Sequence, residues 1–269
     1  MSDPAERIAR FRALHAGPEA FILGNAWSIG SARRLAAMGY AAIGTSSAAL
    51  AEELGLEDGQ VGRDRVLAHA AELAAATDLP VSADLEEGFG PHPHDCAETI
   101  RGAIATGLAG GSIEDFTGDP ARPIHDFGTA VARVAAAAAV VRESGTGFVL
   151  TARAENFAWG RNDLTDTIAR LRAFEEAGAD VLFAPNLPDL DAVRAVCTAV
   201  RRPVNVLMGL GSPGWRLAAL QAAGVRRASL GPALARTAEE AWTAAARAAL
   251  KAGSFAYGRA VAERFANAG

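Results

Sequence analysis

Cysteine is scarce in this chain, with only Cys96 and Cys197 among 269 residues. The two are far apart, lack metal-ligand spacing and fall in segments that read as helices. Neither a disulfide framework nor a thiolate metal site is expected, and a reducing cytoplasm is the expected setting. Blocks of Lys or Arg are also missing, and the net charge is −5. That argues against nucleic acid or an anionic membrane as the main partner. No charge-free apolar run reaches the roughly 18 residues of a membrane span, and the Ala-rich run at 135–141 is too short. Residues 1–17 are charged and lack the apolar core of a signal peptide. The first strand-like run is followed by Asn25-Ala26-Trp27-Ser28-Ile29-Gly30 rather than GxGxxG, which removes the dinucleotide fingerprint. No linker rich in Pro, Gly or Ser divides the chain, so a single domain over residues 1–269 is expected.

What remains is a regular alternation. Half of the residues are hydrophobic and 21% are charged, as in a globular protein with a sizeable core. Asp3 and Pro4 open a helix that carries Ile8, Phe11, Leu14 and His15 on one face. Short apolar runs at 20–24, 41–45, 80–83, 111–113, 147–151, 181–184, 203–207 and 227–230 read as eight strands. Amphipathic stretches of helical length separate most of them, several ending at a glycine such as Gly178 or Gly224. This pattern predicts an α/β fold, a (β/α)8 TIM-type barrel, with a doubly wound open sheet as the alternative. Two surplus helices, about 237–251 and 255–267, follow the eighth strand and suit either a subunit interface or a cover for the core.

A barrel gathers its chemistry at the C-terminal strand ends. Read in order, those ends offer Asn25 and Trp27, Thr45-Ser46-Ser47, Asp84 and Glu86, Glu114 and Asp115, Arg153 and Glu155, Asn186, Asn205, and Gly231-Pro232. Asp84 and Glu86 stand at i and i+2, which on a strand points both the same way. Acids on neighbouring strand ends suit a hard divalent cation, Mg2+ or Mn2+, that keeps some water. Asp84, Glu86 and Glu114 are the expected metal residues, with Asp58 of the turn Asp58-Gly59 in an outer role. Arg153 suits a two-pronged grip on a carboxylate, or a salt bridge to Glu155. Ser46 and Ser47 suit the other end of a small anion, or turn chemistry. Trp27 and Asn186 complete the expected substrate site. Asp119, Arg122 and His125, after Glu114, are candidate proton-transfer or carboxylate-binding groups. His92 and His94 form an HxH pair without an evident third ligand.

At these residues the chain resembles the isocitrate lyase / phosphoenolpyruvate mutase superfamily. The resemblance rests on Asn25-Ala26-Trp27 with Gly30-Ser31-Ala32, on Gly44-Thr45-Ser46-Ser47-Ala48, on Leu54-Gly55 with Asp58-Gly59, and on Ala83-Asp84-Leu85-Glu86-Glu87-Gly88-Phe89-Gly90. It continues through Ile113-Glu114-Asp115, Thr151-Ala152-Arg153 and Ser229-Leu230-Gly231-Pro232. It implies a modified barrel, Mg2+ dependence, small 2-oxo or 2-hydroxy acid chemistry, and a homo-oligomer, commonly a tetramer, that exchanges a C-terminal helix. It also implies making or breaking C–C or P–C bonds beside an enolpyruvate unit. The chain departs from the pattern in three places. The lyase loop bearing Lys, Cys, Gly and His is replaced by Phe116-Thr117-Gly118-Asp119-Pro120-Ala121-Arg122-Pro123-Ile124-His125-Asp126, Glu86 stands for the usual second Asp, and Glu87 adds charge where a small hydroxyl residue is usual. The leading expectation is an Mg2+-dependent lyase or decarboxylase cleaving a C–C bond in a small 2-oxo or 2-hydroxy dicarboxylate through an enolate. The alternatives are mutase or hydrolase chemistry on phosphonopyruvate, and a barrel that binds a small acid without turning it over.

Overall fold

The computed structural model describes residues 2–266. Helix α1 (Pro4–Ala16) is capped by Asp3, whose carboxylate accepts the Ala5 N–H at 3.3 Å. Its Ile8, Phe11 and His15 are buried. They pack with Phe21, Leu23, Val149 and Val181, so α1 belongs to a cluster at the N-terminal ends of the strands.

Strands β1 (Phe21–Asn25), β2 (Ile43–Gly44), β3 (Val81–Asp84), β4 (Gly110–Glu114), β5 (Val149–Arg153), β6 (Val181–Phe183), β7 (Val204–Leu207) and β8 (Arg227–Ser229) pair in parallel in chain order, and β8 returns to β1. Between them run α2 (Ile29–Ala37), α3 (Ser47–Glu53), α4 (Arg63–Ala75), α5 (Pro93–Ala105), α6 (Phe127–Ser144), α7 (Leu164–Ala177), α8 (Leu190–Ala199) and α9 (Leu217–Ala222). This closed sheet of eight strands is the TIM-type barrel, and the open-sheet alternative is excluded. Strand β2 is shorter than its apolar run because Ser46 leaves the sheet to cap α3, its hydroxyl accepting the Ala49 N–H at 3.3 Å. Gly178 ends α7 at φ +111°, a conformation that side chains with a Cβ rarely adopt. The main core lies outside the sheet, where Ala152, Leu182, Val204 and Val206 meet Leu171, Phe174, Val193 and Val196 of the covering helices.

Polar residues fill part of the barrel interior. The Asn25 side chain fastens the seam: its Oδ1 accepts the N–H groups of Leu230 at 2.9 Å and Gly231 at 3.0 Å, while Nδ2 donates to the Thr45 carbonyl at 2.6 Å. Arg227 is buried and donates to Asn205 Oδ1 at 2.9 Å and Thr151 Oγ1 at 3.1 Å. Its Nη1 meets His15 Nε2 at 3.3 Å. Burial and the Arg227 charge push His15 down to about 3, so its imidazole is neutral and accepts that bond.

The chain forms two compact units, residues 1–232 and 233–269. The second holds α10 (Ala233–Ala252), which starts four residues before the expected helix, and α11 (Ala256–Ala266). The expected end of the last helix, residue 267, lies outside the described residues. No residue of α10 is buried, and Trp242, Leu250, Phe255, Tyr257 and Val261 are exposed in this unit. Among the described residues, no helix is long and apolar enough to cross a membrane.

Candidate active site

A cavity of about 580 Å3 opens at the C-terminal ends of the strands. Its organising residue is Arg153, the last residue of β5. Pairing places Glu114, Arg153, Phe183, Asn205 and Arg227 at successive matched positions from β4 to β8, so all five side chains leave the sheet on one face. All five line the cavity. Asp115, one residue beyond Glu114, therefore points the other way. It is buried against Arg170 of α7 at 3.1 Å and accepts the Glu155 N–H at 2.8 Å, and burial raises it to about 6.

Arg153 meets three carboxylates. Nη1 donates to Asp84 Oδ1 at 2.9 Å, Nη2 lies 3.1 Å from Glu114 Oε2, and Nε donates to Glu155 Oε1 at 2.9 Å. Its guanidinium carbon lies 4.9 Å from the centre of the Phe183 ring. Burial opposes the charge, but Glu114, Glu155 and Asp84 outweigh it and hold the arginine pKa above its usual value. Three of its five N–H groups are committed in these bonds, which leaves two for another oxygen. The other oxygen of Asp84, Oδ2, accepts the Ser47 hydroxyl at 3.0 Å, and Ser112 reaches Oδ1 at 3.4 Å. Thr45 Oγ1 accepts the Asp84 N–H at 2.8 Å and fixes the backbone behind the carboxylate.

The alignment of Asp84 and Glu86 has a different cause from the strand period. Strand β3 ends at Asp84, and Glu86 sits in a left-handed turn at φ +51°, which brings its buried carboxyl back into the same cavity. Burial, Asp84 and Asp58 push Glu86 up to about 8. Burial likewise raises Glu114, with Glu155 and Asp84 adding repulsion and Arg153 opposing it. Asp58 stands exposed at the rim, raised by partial desolvation and by Asp84. The cleft thus holds more negative charge than its arginines balance.

Those carboxylates fit a hard divalent cation. Glu86 Oε1 is buried without a hydrogen-bond partner in a residue that lines the cavity, and every donor atom is a hard oxygen. Among the described residues, no three His, Cys, Asp or Glu side chains are placed to enclose a metal ion unaided. An ion held here would keep several waters, as Mg2+ does.

The sequence profile of the phosphoenolpyruvate phosphomutase family matches residues 11–250. The chain belongs to that family. Within it, a solved structure from Burkholderia cenocepacia J2315, described as a "putative lyase/mutase", is 49% identical with a TM-score of 0.93, covering 96% of this chain and 93% of that one. A protein of Corynebacterium glutamicum named probable 2-methylisocitrate lyase 2 is 33% identical over 190 residues, 68% of this chain and 61% of that protein. An oxaloacetate decarboxylase of Paraburkholderia xenovorans strain LB400 is 31% identical over 193 residues, 62% of this chain and 61% of that protein.

Against this phosphomutase-family frame the expected site residues divide. Asp84, Glu86, Glu114, Asp58, Ser46, Ser47 and Arg153 all line the cavity. The Ser46 hydroxyl is occupied as the cap of α3, so of the two serines only Ser47 reaches Asp84. Trp27 and Asn186 do not line it: the Trp27 carbonyl bonds His69 at 3.0 Å, and Asn186 is exposed in a left-handed turn. The loop after β4 folds on itself through a bridge between Phe116 and Ile124. Asp119 accepts the Ala121 N–H at 2.9 Å and pairs with exposed Arg122 at 3.5 Å, and neither lines the cavity. The His125 carbonyl accepts from Arg170 at 3.0 Å, and burial lowers its imidazole pKa; this side chain is also absent from the wall. That loop contributes Phe116, Gly118 and Pro120 instead. His92 and His94 stack on each other at 5.5 Å where α5 begins. Among the contributors that sequence reasoning missed are Ser112, Phe116, Trp159, Phe183 and Arg227. Ser112 could have been found by stepping back two residues from Glu114. Trp159 and Arg227 carry no sequence signal that separates them from surface or structural residues.

Proposed function

We propose that this protein is an Mg2+-dependent carbon–carbon lyase or decarboxylase acting on a small 2-oxo or 2-hydroxy dicarboxylate. The observation that carries the reading is the junction of Arg153 with Asp84, Glu114 and Glu155 beside the orphaned Glu86 oxygen. Asp84 would hold the ion, with Glu86, Glu114 and Asp58 in reach of its waters. When bound, the ion supplies Lewis-acid polarisation of the 2-oxo or 2-hydroxy oxygen. The remaining work falls to the chain itself. Arg153, locked by three acids and stacked on Phe183, presents its two uncommitted N–H groups in a fixed orientation to a substrate carboxylate. Ser47 and Thr45 keep Asp84 from turning. Glu86, at about 8, carries a proton at neutral pH until a cation displaces it.

The phosphonopyruvate reading is less well supplied. A phosphonate adds charge to a cleft whose lining has six acids and two arginines, one of them already tied to three acids. We also place the protein in the reducing cytoplasm as a homo-oligomer, dimer or tetramer, with the α10 and α11 surfaces as contacts. Burial raises both thiols to about 11, which suits unreactive free cysteines.

The test is an end-point NMR screen of oxaloacetate, substituted malates, methylisocitrate and phosphonopyruvate, with Mg2+ and with EDTA, against an Asp84→Ala control. Metal-dependent pyruvate from a carbon substrate is the expected result. A phosphorus product, or no product at all, would overturn it.

A further inference from the structure

The cavity wall is divided by chemistry. Asp58, Glu86 and Glu87 lie on the loops after β2 and β3. The loops after β4 and β5 present Phe116, Gly118, Pro120, Ala158 and Trp159, and their one lining acid, Glu155, is turned to Arg153. Phe116 and Trp159 stack face to face, ring centres 4.3 Å apart and planes 4° from parallel, and clip the two loops together at the mouth. Trp159 is 39% exposed, so its ring edge is open to a ligand at the cavity mouth.

The cations are placed elsewhere. Arg153 and Arg227 are the only cationic residues among those lining the cavity. Arg153 is held by three carboxylates, and Arg227 is 3% exposed and bonded inside the barrel to Asn205 and Thr151. Arg122, the basic residue of the loop after β4, is directed at Asp119 in solvent. A carboxylate set against the Phe116 and Trp159 side would lose hydration and find no partner, which is costly. An alkyl or aryl group there would gain from burial on two aromatic rings.

We propose that the substrate carries an uncharged alkyl or aryl substituent, packed on Phe116 and Trp159, where a tricarboxylate would carry its third carboxylate. This rests on the lyase reading above and narrows its substrate to substituted dicarboxylates. Phe116 and Trp159 are then the residues that select it.

Calorimetric titration of the full chain in Mg2+ with succinates, which lack the hydroxyl needed for cleavage, tests the idea without turnover. The series is succinate, 2-methyl-, 2-butyl- and 2-benzylsuccinate, and tricarballylate. Affinity should rise about two- to fourfold per added methylene, the upper figure being full burial, and tricarballylate should bind more weakly than 2-butylsuccinate. In Trp159→Ala the ratio of 2-butylsuccinate to succinate affinity should fall at least fivefold, Phe116→Ala should act in the same direction, and Trp159→Phe should retain most of the ratio. A flat series, a ratio unchanged in Trp159→Ala, or tricarballylate as the tightest ligand would overturn the proposal while leaving the lyase reading intact. Failure of the whole series to bind where oxalate does would overturn the proposal alone, and failure of oxalate as well would overturn both.

Discussion

Asp84 accepts bonds on both oxygens, from Arg153 and Ser112 on one and from Ser47 on the other, so it cannot rotate without breaking several contacts. Asp84→Ala should reduce metal-dependent turnover to the EDTA baseline, a loss on the order of 10^3-fold, while circular dichroism stays native. Wild-type rates in that variant would remove the site from consideration. At the other end of the barrel, His15 predicts a pH dependence of stability. Its folded value of about 3 lies below the ordinary 6.5. Between those values the unfolded chain binds the extra proton, so this contribution is complete above pH 6.5 and is lost as pH falls towards 3. The slope approaches roughly 1.4 kcal/mol per pH unit. Urea titrations from pH 7 to 4 should show this acid loss, and His15→Gln should flatten it. Part of this was legible in sequence: His15 falls on the buried face of the first helix. Its partner Arg227, 212 positions away, was not, because a charged residue opening a strand reads as an exposed end.

Among the elements, the loop after β4 is anchored from behind. Arg170 of α7 binds Asp115 at 3.1 Å, Asp166 at 2.7 Å and the His125 carbonyl at 3.0 Å, with 2% of its side chain exposed. Arg170→Met leaves Asp115 buried without its cation and should cost about 3–5 kcal/mol, read as a lowered urea midpoint. Asp115→Asn in that background should recover part of the loss. The eight strands and their order were readable because parallel barrels repeat one hydrophobic pattern with glycine stops such as Gly178. Glu114 rather than Asp115 was the expected metal residue, and the register sets it on the cavity face, although a one-residue shift would have exchanged the two. Glu86 was expected inward from the strand period and reaches the cavity through a left-handed turn instead. Asp119, Arg122 and His125 were drawn in by proximity in sequence, but the loop meets the cavity through Phe116, Gly118 and Pro120 instead.

For the whole molecule, the exposed side chains of Trp242, Leu250, Phe255, Tyr257 and Val261 are the contacts expected of the proposed homo-oligomer. Helix α10 buries none of its 20 residues, and Trp242 is 69% exposed. A chain ending at Pro232 should retain the barrel and its Mg2+-dependent ligand binding. Multi-angle light scattering should find it monomeric where the full chain is dimeric or tetrameric; an unchanged mass would move the interface elsewhere.

The Asn25 seam also sets a timetable for biosynthesis. Its carboxamide oxygen waits for the N–H groups of Leu230 and Gly231, so the first strand keeps a bare edge until nearly the whole barrel has left the ribosome. At ~5–20 residues per second that wait lasts roughly 10–40 s. Throughout it the nascent sheet is a half-open cylinder with two unpaired rims, each a template for another chain. A chain stalled before β8 should therefore be aggregation-prone, and its chaperone dependence should track translation speed through the late closing of β1 on β8.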